Sequence, residues 1–144
     1  MREKMIARAC ELLENGSVDR VIGWGRREFV YDVTPAVFGD AEALKNRFVF
    51  DLFCGANLSK YLVSETAKGG KVLVFLKPCD TYSFNQLLAE HRLKRENVYI
   101  IGVECNGMAD INRIREAGVS GIKSIFSEGD KVTVKTVYGD REFA

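Results

Sequence analysis

Val72-Leu73-Val74-Phe75-Leu76-Lys77-Pro78-Cys79-Asp80 is five apolar residues in a row, stopped abruptly. Pro78 holds Lys77 extended, so a strand must end there, and Asp80 is placed to cap a following helix. A continuous apolar run of this length reads as a strand covered on both faces, the type that builds parallel sheets. Two similar runs lie on either side, Phe48 to Phe53 and Val98 to Val103, and each of the three is closed by a cysteine before a turn, Cys54, Cys79 and Cys105. These cysteines are 25 and 26 positions apart, about one strand–helix unit. Parallel strands deliver their carboxyl ends to one edge, where open sheets bind ligands. Three thiols gathered on that edge point to a metal, a cluster or redox chemistry.

Helix-like stretches fit between these runs. Asn57 to Lys68 turns Leu58, Tyr61 and Leu62 inward and ends at Gly69-Gly70; Asp80 to Arg92 presents Phe84, Leu87 and Leu88; Asp110 to Ala117 stops at Gly118. Upstream, residues 3–14 form an amphipathic helix with Cys10 as a small buried hydrophobe. Val18 to Ile22 is a short strand, broken at Gly23-Trp24-Gly25, and Phe29 to Phe38 is an extended segment that Pro35 places on an edge. Asp40 caps a short helix through Lys45. Downstream, Ile122 to Phe126 and Val132 to Tyr138 alternate around Glu128-Gly129-Asp130, a β-hairpin. The expected architecture is α/β, a mainly parallel central sheet with flanking helices and a C-terminal β-hairpin, in a single domain over residues 1–144.

A chain of 144 residues buries roughly 68–70% of its unfolded surface without a staple. Net charge is +1, from 21 basic and 20 acidic residues, which gives no global attraction for nucleic acid or an anionic membrane. The apolar runs fall far short of a bilayer span and no signal peptide is read, so the expected compartment is cytoplasmic, with thiols reduced.

The local chemistry follows from the turns. Cys79 lies at a helix N-terminus beside Lys77, two influences that favour thiolate over thiol. Cys54-Gly55-Ala56-Asn57 and Cys105-Asn106-Gly107 repeat the arrangement. A structural zinc or a [4Fe–4S] cluster takes four protein ligands, and neither Cys10 nor His91, the only histidine, is suitably placed. Gly23-Trp24-Gly25 is not a dinucleotide fingerprint, since no helix follows. Arg26 and Arg27 after it are a solvated basic turn or a phosphate contact, and Trp24, Tyr61 and Tyr82 core aromatics or the flanks of a flat ring.

Lys77-Pro78-Cys79-Asp80, then Asn97 to Val103 and Cys105-Asn106-Gly107-Met108, resemble the β subunits of coenzyme F420-reducing hydrogenases and of F420- or NAD-linked formate dehydrogenases. Phe53 to Leu58 with Tyr61-Leu62 resembles an earlier element of the same family, and the likeness runs from about Val18 to Ile125. It implies an electron-transfer module holding FAD and a [4Fe–4S] cluster, working with a catalytic hydrogenase or dehydrogenase subunit and a carrier such as F420, NAD or ferredoxin. Cys54, Cys79 and Cys105 would be metal ligands; Asn57, Lys77, Asp80, Asn106 and Gly107 would face the cofactors. The family's CxxCxxC runs are missing here and a fourth cluster ligand is absent, so the chain is expected as a piece of a longer iron–sulfur flavoprotein, such as a truncated N-terminal domain, or as a shortened relative. Two alternatives stand beside this: a non-catalytic interaction module of a redox complex, and a zinc or thiol-switch protein.

Overall fold

The structure, a computed structural model, describes residues 1–105 and 107–143. A four-stranded sheet has the order β2-β1-β3-β4, from β1 (Arg20–Arg26), β2 (Val33–Phe38), β3 (Val72–Leu76) and β4 (Val98–Gly102). β1, β3 and β4 are parallel, and β2 runs antiparallel along the outer edge of β1. Around it lie α1 (Arg2–Glu14), α2 (Ala41–Arg47), α3 (Leu62–Ala67) and α4 (Thr81–Ala89), the expected α/β architecture. The fully buried β3 is central, as its all-apolar sequence requires. Pro35 sits on the edge strand opposite Trp24, where its missing N–H costs no ladder bond.

Caps and stops are placed by local chemistry. The Asp40 carboxylate accepts from the Ala43 amide at 2.7 Å and opens α2; the Asp110 carboxylate accepts from the Asn112 amide at 2.9 Å and opens α5 (Ile111–Glu116). Gly118 ends α5 at φ +79°, a conformation with no penalty for glycine.

Two expectations are corrected. β1 is not broken at Gly23-Trp24-Gly25 but runs through it, because the glycines make room for a ring: a Cβ at Gly23 would lie 2.7 Å from Cε2 of Phe48. Phe48 to Phe53 is not a strand. β1 already carries β2 on one side and β3 on the other, leaving only its last residues free, so this run makes one bridge, Gly25 to Phe48, and then turns. Its apolar character reflects burial of Phe48, Val49 and Phe53 and not sheet pairing. The expected C-terminal hairpin is present as β5 (Ile122–Glu128) and β6 (Lys131–Thr136), and a further strand, β7 (Gly139–Phe143), extends it to a three-stranded antiparallel sheet. The third strand carries no apolar alternation because its side chains are mostly exposed.

The main core joins both faces of the large sheet through Trp24, Phe38, Phe48, Phe75 and Leu58, all essentially inaccessible. A smaller cluster, Phe53, Ile114, Val119, Ile125 and Val134, seats α5 and the small sheet over the 48–58 loop. No helix among the described residues is long and apolar enough to cross a membrane.

Substituting Gly23→Ala forces Phe48 out of its place against the strand and is expected to cost about 1–3 kcal/mol, the usual penalty for overpacking. Urea unfolding will read this as a lower midpoint at an unchanged slope.

Candidate functional site

β1, β3 and β4 end on one edge, and the 48–58 loop is laid across it by backbone and side-chain bonds. The Val49 amide donates to Trp24 O at 2.9 Å, Trp24 Nε1 donates to Ala56 O at 3.1 Å, and Arg26 pairs with Asp51 at 2.8 Å. Lys77, the first residue after β3, is only 4% exposed. Its ammonium donates to the Cys54 carbonyl and lies 5.0 Å from the Trp24 ring centroid, a cation–π contact. An ammonium has three protons to donate. The Cys54 carbonyl takes one, and among the described residues no other acceptor takes a second.

Lys77 lines a cleft of about 250 Å³ together with Phe50, Asp51, Leu52, Glu104, Cys105 and Gly107 from the loops of this edge. Ile125, Phe126 and Ser127 of β5 form its opposite wall. This is the position at which an open parallel sheet receives a ligand.

The three cysteines follow separate courses. Cys54 is 1% exposed; its thiol donates to Val49 O at 3.5 Å and to Asp51 Oδ1 at 3.8 Å, and its sulfur accepts from the Asp51 amide at 3.3 Å. Burial pushes the thiol from 9.0 up to about 12, and its hydrogen bonds make it an element of a tight turn. Cys79 and Cys105 are exposed. Cys79 donates to Asp80 Oδ1 at 3.7 Å, and Lys77, spent on Cys54 O, makes no bond to it. Cys105 lines the cleft. Among the described residues no group of three or more His, Cys, Asp or Glu side chains is placed to hold a metal ion. Cys54, Cys79 and Cys105, expected as one ligand set, are thus not brought together among the described residues. The physical reason is that the first apolar run is a buried loop, so its cysteine is drawn into the core while the other two stay at strand ends.

Of the other expected site residues, Lys77 and Gly107 line the cleft, with Gly107 at φ +102°. Asn57 is committed elsewhere: its amide donates to Ser83 Oγ at 2.8 Å and its carbonyl accepts from the Ser59 amide and hydroxyl. Asp80 is buried but makes no cap bond, because a 3₁₀ turn, Pro78–Asp80, leads directly into α4 and Asp80 already has helical dihedrals. Its Oδ2 has no hydrogen-bond partner. Asn106 lies outside the described residues. Trp24 is at the site as a fully buried wall, Tyr82 stands in solvent, and His91 is exposed just past α4. Phe50, Asp51, Glu104 and β5 were not singled out by the sequence; they arrive through long-range packing that no local spacing signals.

No protein-family model matches the chain. Over 96 residues it is 30% identical to F420-dependent formate dehydrogenase 1 subunit beta of Methanococcus maripaludis, covering 67% of this chain and 24% of that protein. It is also 30% identical over 96 residues to F420-dependent formate dehydrogenase subunit beta of Methanocaldococcus jannaschii, covering 67% of this chain and 25% of that protein. The matched region is thus about a quarter of the length of these relatives. A chain in the structure of the F420-reducing [NiFe] hydrogenase complex from Methanosarcina barkeri shares the fold, with a TM-score of 0.77 at 18% identity over 96% of this chain and 52% of that one.

The burial pattern predicts two reactivity classes. A maleimide at neutral pH should modify Cys79 and Cys105 rapidly, whereas Cys10 and Cys54 react only after denaturation, read as adduct mass. The raised Cys54 pKa adds a pH effect. Between about 9 and 12 the unfolded thiol ionises while the folded one keeps its proton, so stability falls as pH rises through that window. Unfolding midpoints of the native chain should drop there more steeply than those of Cys54→Ala.

Proposed function

Because the chain belongs to the family of F420-dependent formate dehydrogenase β subunits and shares the fold of a chain of an F420-reducing [NiFe] hydrogenase complex, we propose that it forms the flavin-binding part of an oxidoreductase subunit. In that role it passes electrons between a carrier, F420 as in the names of both relatives, and a catalytic dehydrogenase or hydrogenase subunit. The observation that carries this reading is the buried Lys77 ammonium, seated on Trp24 and lining a cleft at the carboxyl edge of β3.

The residues present suit an FAD. Phe50, Leu52 and Phe126 offer apolar walls for a flat ring, and Lys77 supplies a fixed positive charge with protons to donate. FAD when bound supplies the redox chemistry, accepting and releasing electrons singly or in pairs. The chain's own contribution is positional and electrostatic. Lys77 favours an anionic group beside it, and its burial strengthens that attraction over what an exposed lysine would exert. The Cys54 carbonyl holds the ammonium in place, and β5 with Phe126 narrows access of water.

The thiols in this arrangement do not fit a [4Fe–4S] cluster. Cys54 is buried and turned into its own loop, and two exposed cysteines fall short of the four ligands a cluster takes. No electron-transfer step through a cluster on this chain is therefore derived. The same observation favours a second reading, a non-catalytic interaction module that docks onto a redox complex and binds no flavin.

Flavin titration separates the two. The chain should quench FAD fluorescence saturably, and Lys77→Met should weaken binding about tenfold, the worth of one charge-assisted hydrogen bond. Unfolding midpoints check that this variant still folds. Absence of binding to the native chain would establish the interaction module instead. Anaerobic incubation with iron and sulfide should leave no cluster absorption; a cluster spectrum that disappears in Cys79→Ser would show that the thiols do ligate iron.

A further inference from the structure

Each sheet ends in two edge strands, β2 and β4 in the larger and β5 and β7 in the smaller. An edge offers unpaired main-chain groups to any other strand, and proteins guard it with proline, charge or a bulge. β2 carries Pro35. β5 carries Lys123 and Glu128, with a register shift between Ile122 and Ser124. β7 is Gly139-Asp140-Arg141-Glu142-Phe143, charged at its centre. β4, Val98-Tyr99-Ile100-Ile101-Gly102, has none of these devices, and its pairing with β3 runs unbroken from end to end. Its apolar residues Tyr99, Ile100 and Ile101 are only half-buried.

Which groups are open follows from alternation, because successive residues of a strand direct their N–H and C=O to opposite sides. The Val103 amide donates to Leu76 O at 2.9 Å, so Val103 faces β3, and Ile101 and Tyr99 face it too. Val98, Ile100 and Gly102 therefore point outward. Val98 is already satisfied: its carbonyl accepts from Arg95 Nη1 at 2.7 Å and its amide donates to Arg95 O. Ile100 and Gly102 are left. Among the described residues nothing bonds to their outward N–H and C=O groups.

We propose that β4 is an interface between two copies of this chain, paired antiparallel about a two-fold axis at Ile101. A two-fold normal to the sheet sets one residue opposite itself. With Ile101 there, Ile100 of each copy lies opposite Gly102 of the other, and the open N–H and C=O groups of both residues find partners. Centring on Ile100 would spend Gly102 on Val98, whose groups Arg95 already holds, and would face Glu96 with Glu104, a like-charge pair. Centring on Gly102 would ask Glu104, beyond the end of β4, to continue the ladder. The Ile101 register instead sets Val98 opposite Glu104. Arg95, whose guanidinium rests on Val98 O, and Glu104 are both exposed, so each arginine meets the other copy's carboxylate. Pairing also covers Tyr99, Ile100 and Ile101 and makes the larger sheet continuous through both copies. This interface does not depend on the flavin reading.

Sedimentation equilibrium from about 1 µM to about 1 mM chain reads the association, and amide hydrogen exchange reads its place. A reducing agent keeps the exposed Cys79 and Cys105 from linking copies. The expected result is a reversible monomer–dimer equilibrium in which the Ile100 and Gly102 amides exchange slowly only where the dimer is populated. Arg95→Glu sets like charges together at both ends of the pairing and should weaken the dimer about tenfold, and Arg95→Glu/Glu104→Arg should restore it. Both positions are exposed, so circular dichroism should match that of the native chain. A chain monomeric throughout that range would leave β4 to a strand of some other protein and overturn the self-pairing. A dimer whose Ile100 and Gly102 amides still exchange freely would place the contact on another face, and a dimer indifferent to Arg95→Glu would exclude this register; either result overturns the proposal.

Discussion

The burial of the Lys77 ammonium is the constraint on which the site depends. Removing a charge from water costs several kcal/mol unless partners replace the lost hydration. Here the replacements are the Cys54 carbonyl and the face of Trp24, and both belong to segments distant in sequence. The lysine therefore ties the end of β3 to the 48–58 loop and to β1. The loop in turn carries Phe50, Asp51 and Leu52 to the cleft and Phe53 to the second core. Beside that anchor, the floor of the cleft is held by backbone bonds, Trp24 Nε1 to Ala56 O, Arg2 to Phe48 O and the Arg26–Asp51 pair.

The same loop explains the fate of the cysteines. Cys54 has the sequence surroundings of its two counterparts, an apolar run before and a turn after, yet it ends as a protonated thiol in a turn closed by Asp51. Cys79 and Cys105 follow true strands and remain at the surface. Ionising the Cys54 thiol in this turn is opposed first by burial, which outweighs the favourable charge of the neighbouring Lys77.

Asymmetry of charge also acquires a meaning from the fold. Basic and acidic residues alternate evenly along the chain, so composition offers no partner class. Tertiary packing gathers four arginines from α1, β1, the following turn and α2 around one acid. The Arg2 guanidinium is bonded to Phe48 O, and the Gly25–Phe48 bridge fixes the backbone beside Arg47. The two glycines of β1 permit this, since Phe48 occupies the space a side chain at position 23 would need.

Much of the fold was legible from local signals: the buried runs of β3 and β4, the Asp40 cap, the glycine stops and the edge placement of Pro35. Each is decided by neighbours within a few residues, where dihedral preference and hydrophobic spacing act directly. Lys77 and Gly107 could likewise be placed on the ligand edge, because strand direction alone determines which end they occupy. The loop character of residues 48–53 was not legible, since an apolar run means burial and only the number of free strand edges decides whether it pairs. Nor could the sequence reveal that Cys54 would turn inward, that β5 would wall the cleft, or that Arg2 and Arg47 would face Arg26 and Arg27. Those depend on contacts between residues tens of positions apart, whose energies arise only when the sheet has ordered its strands.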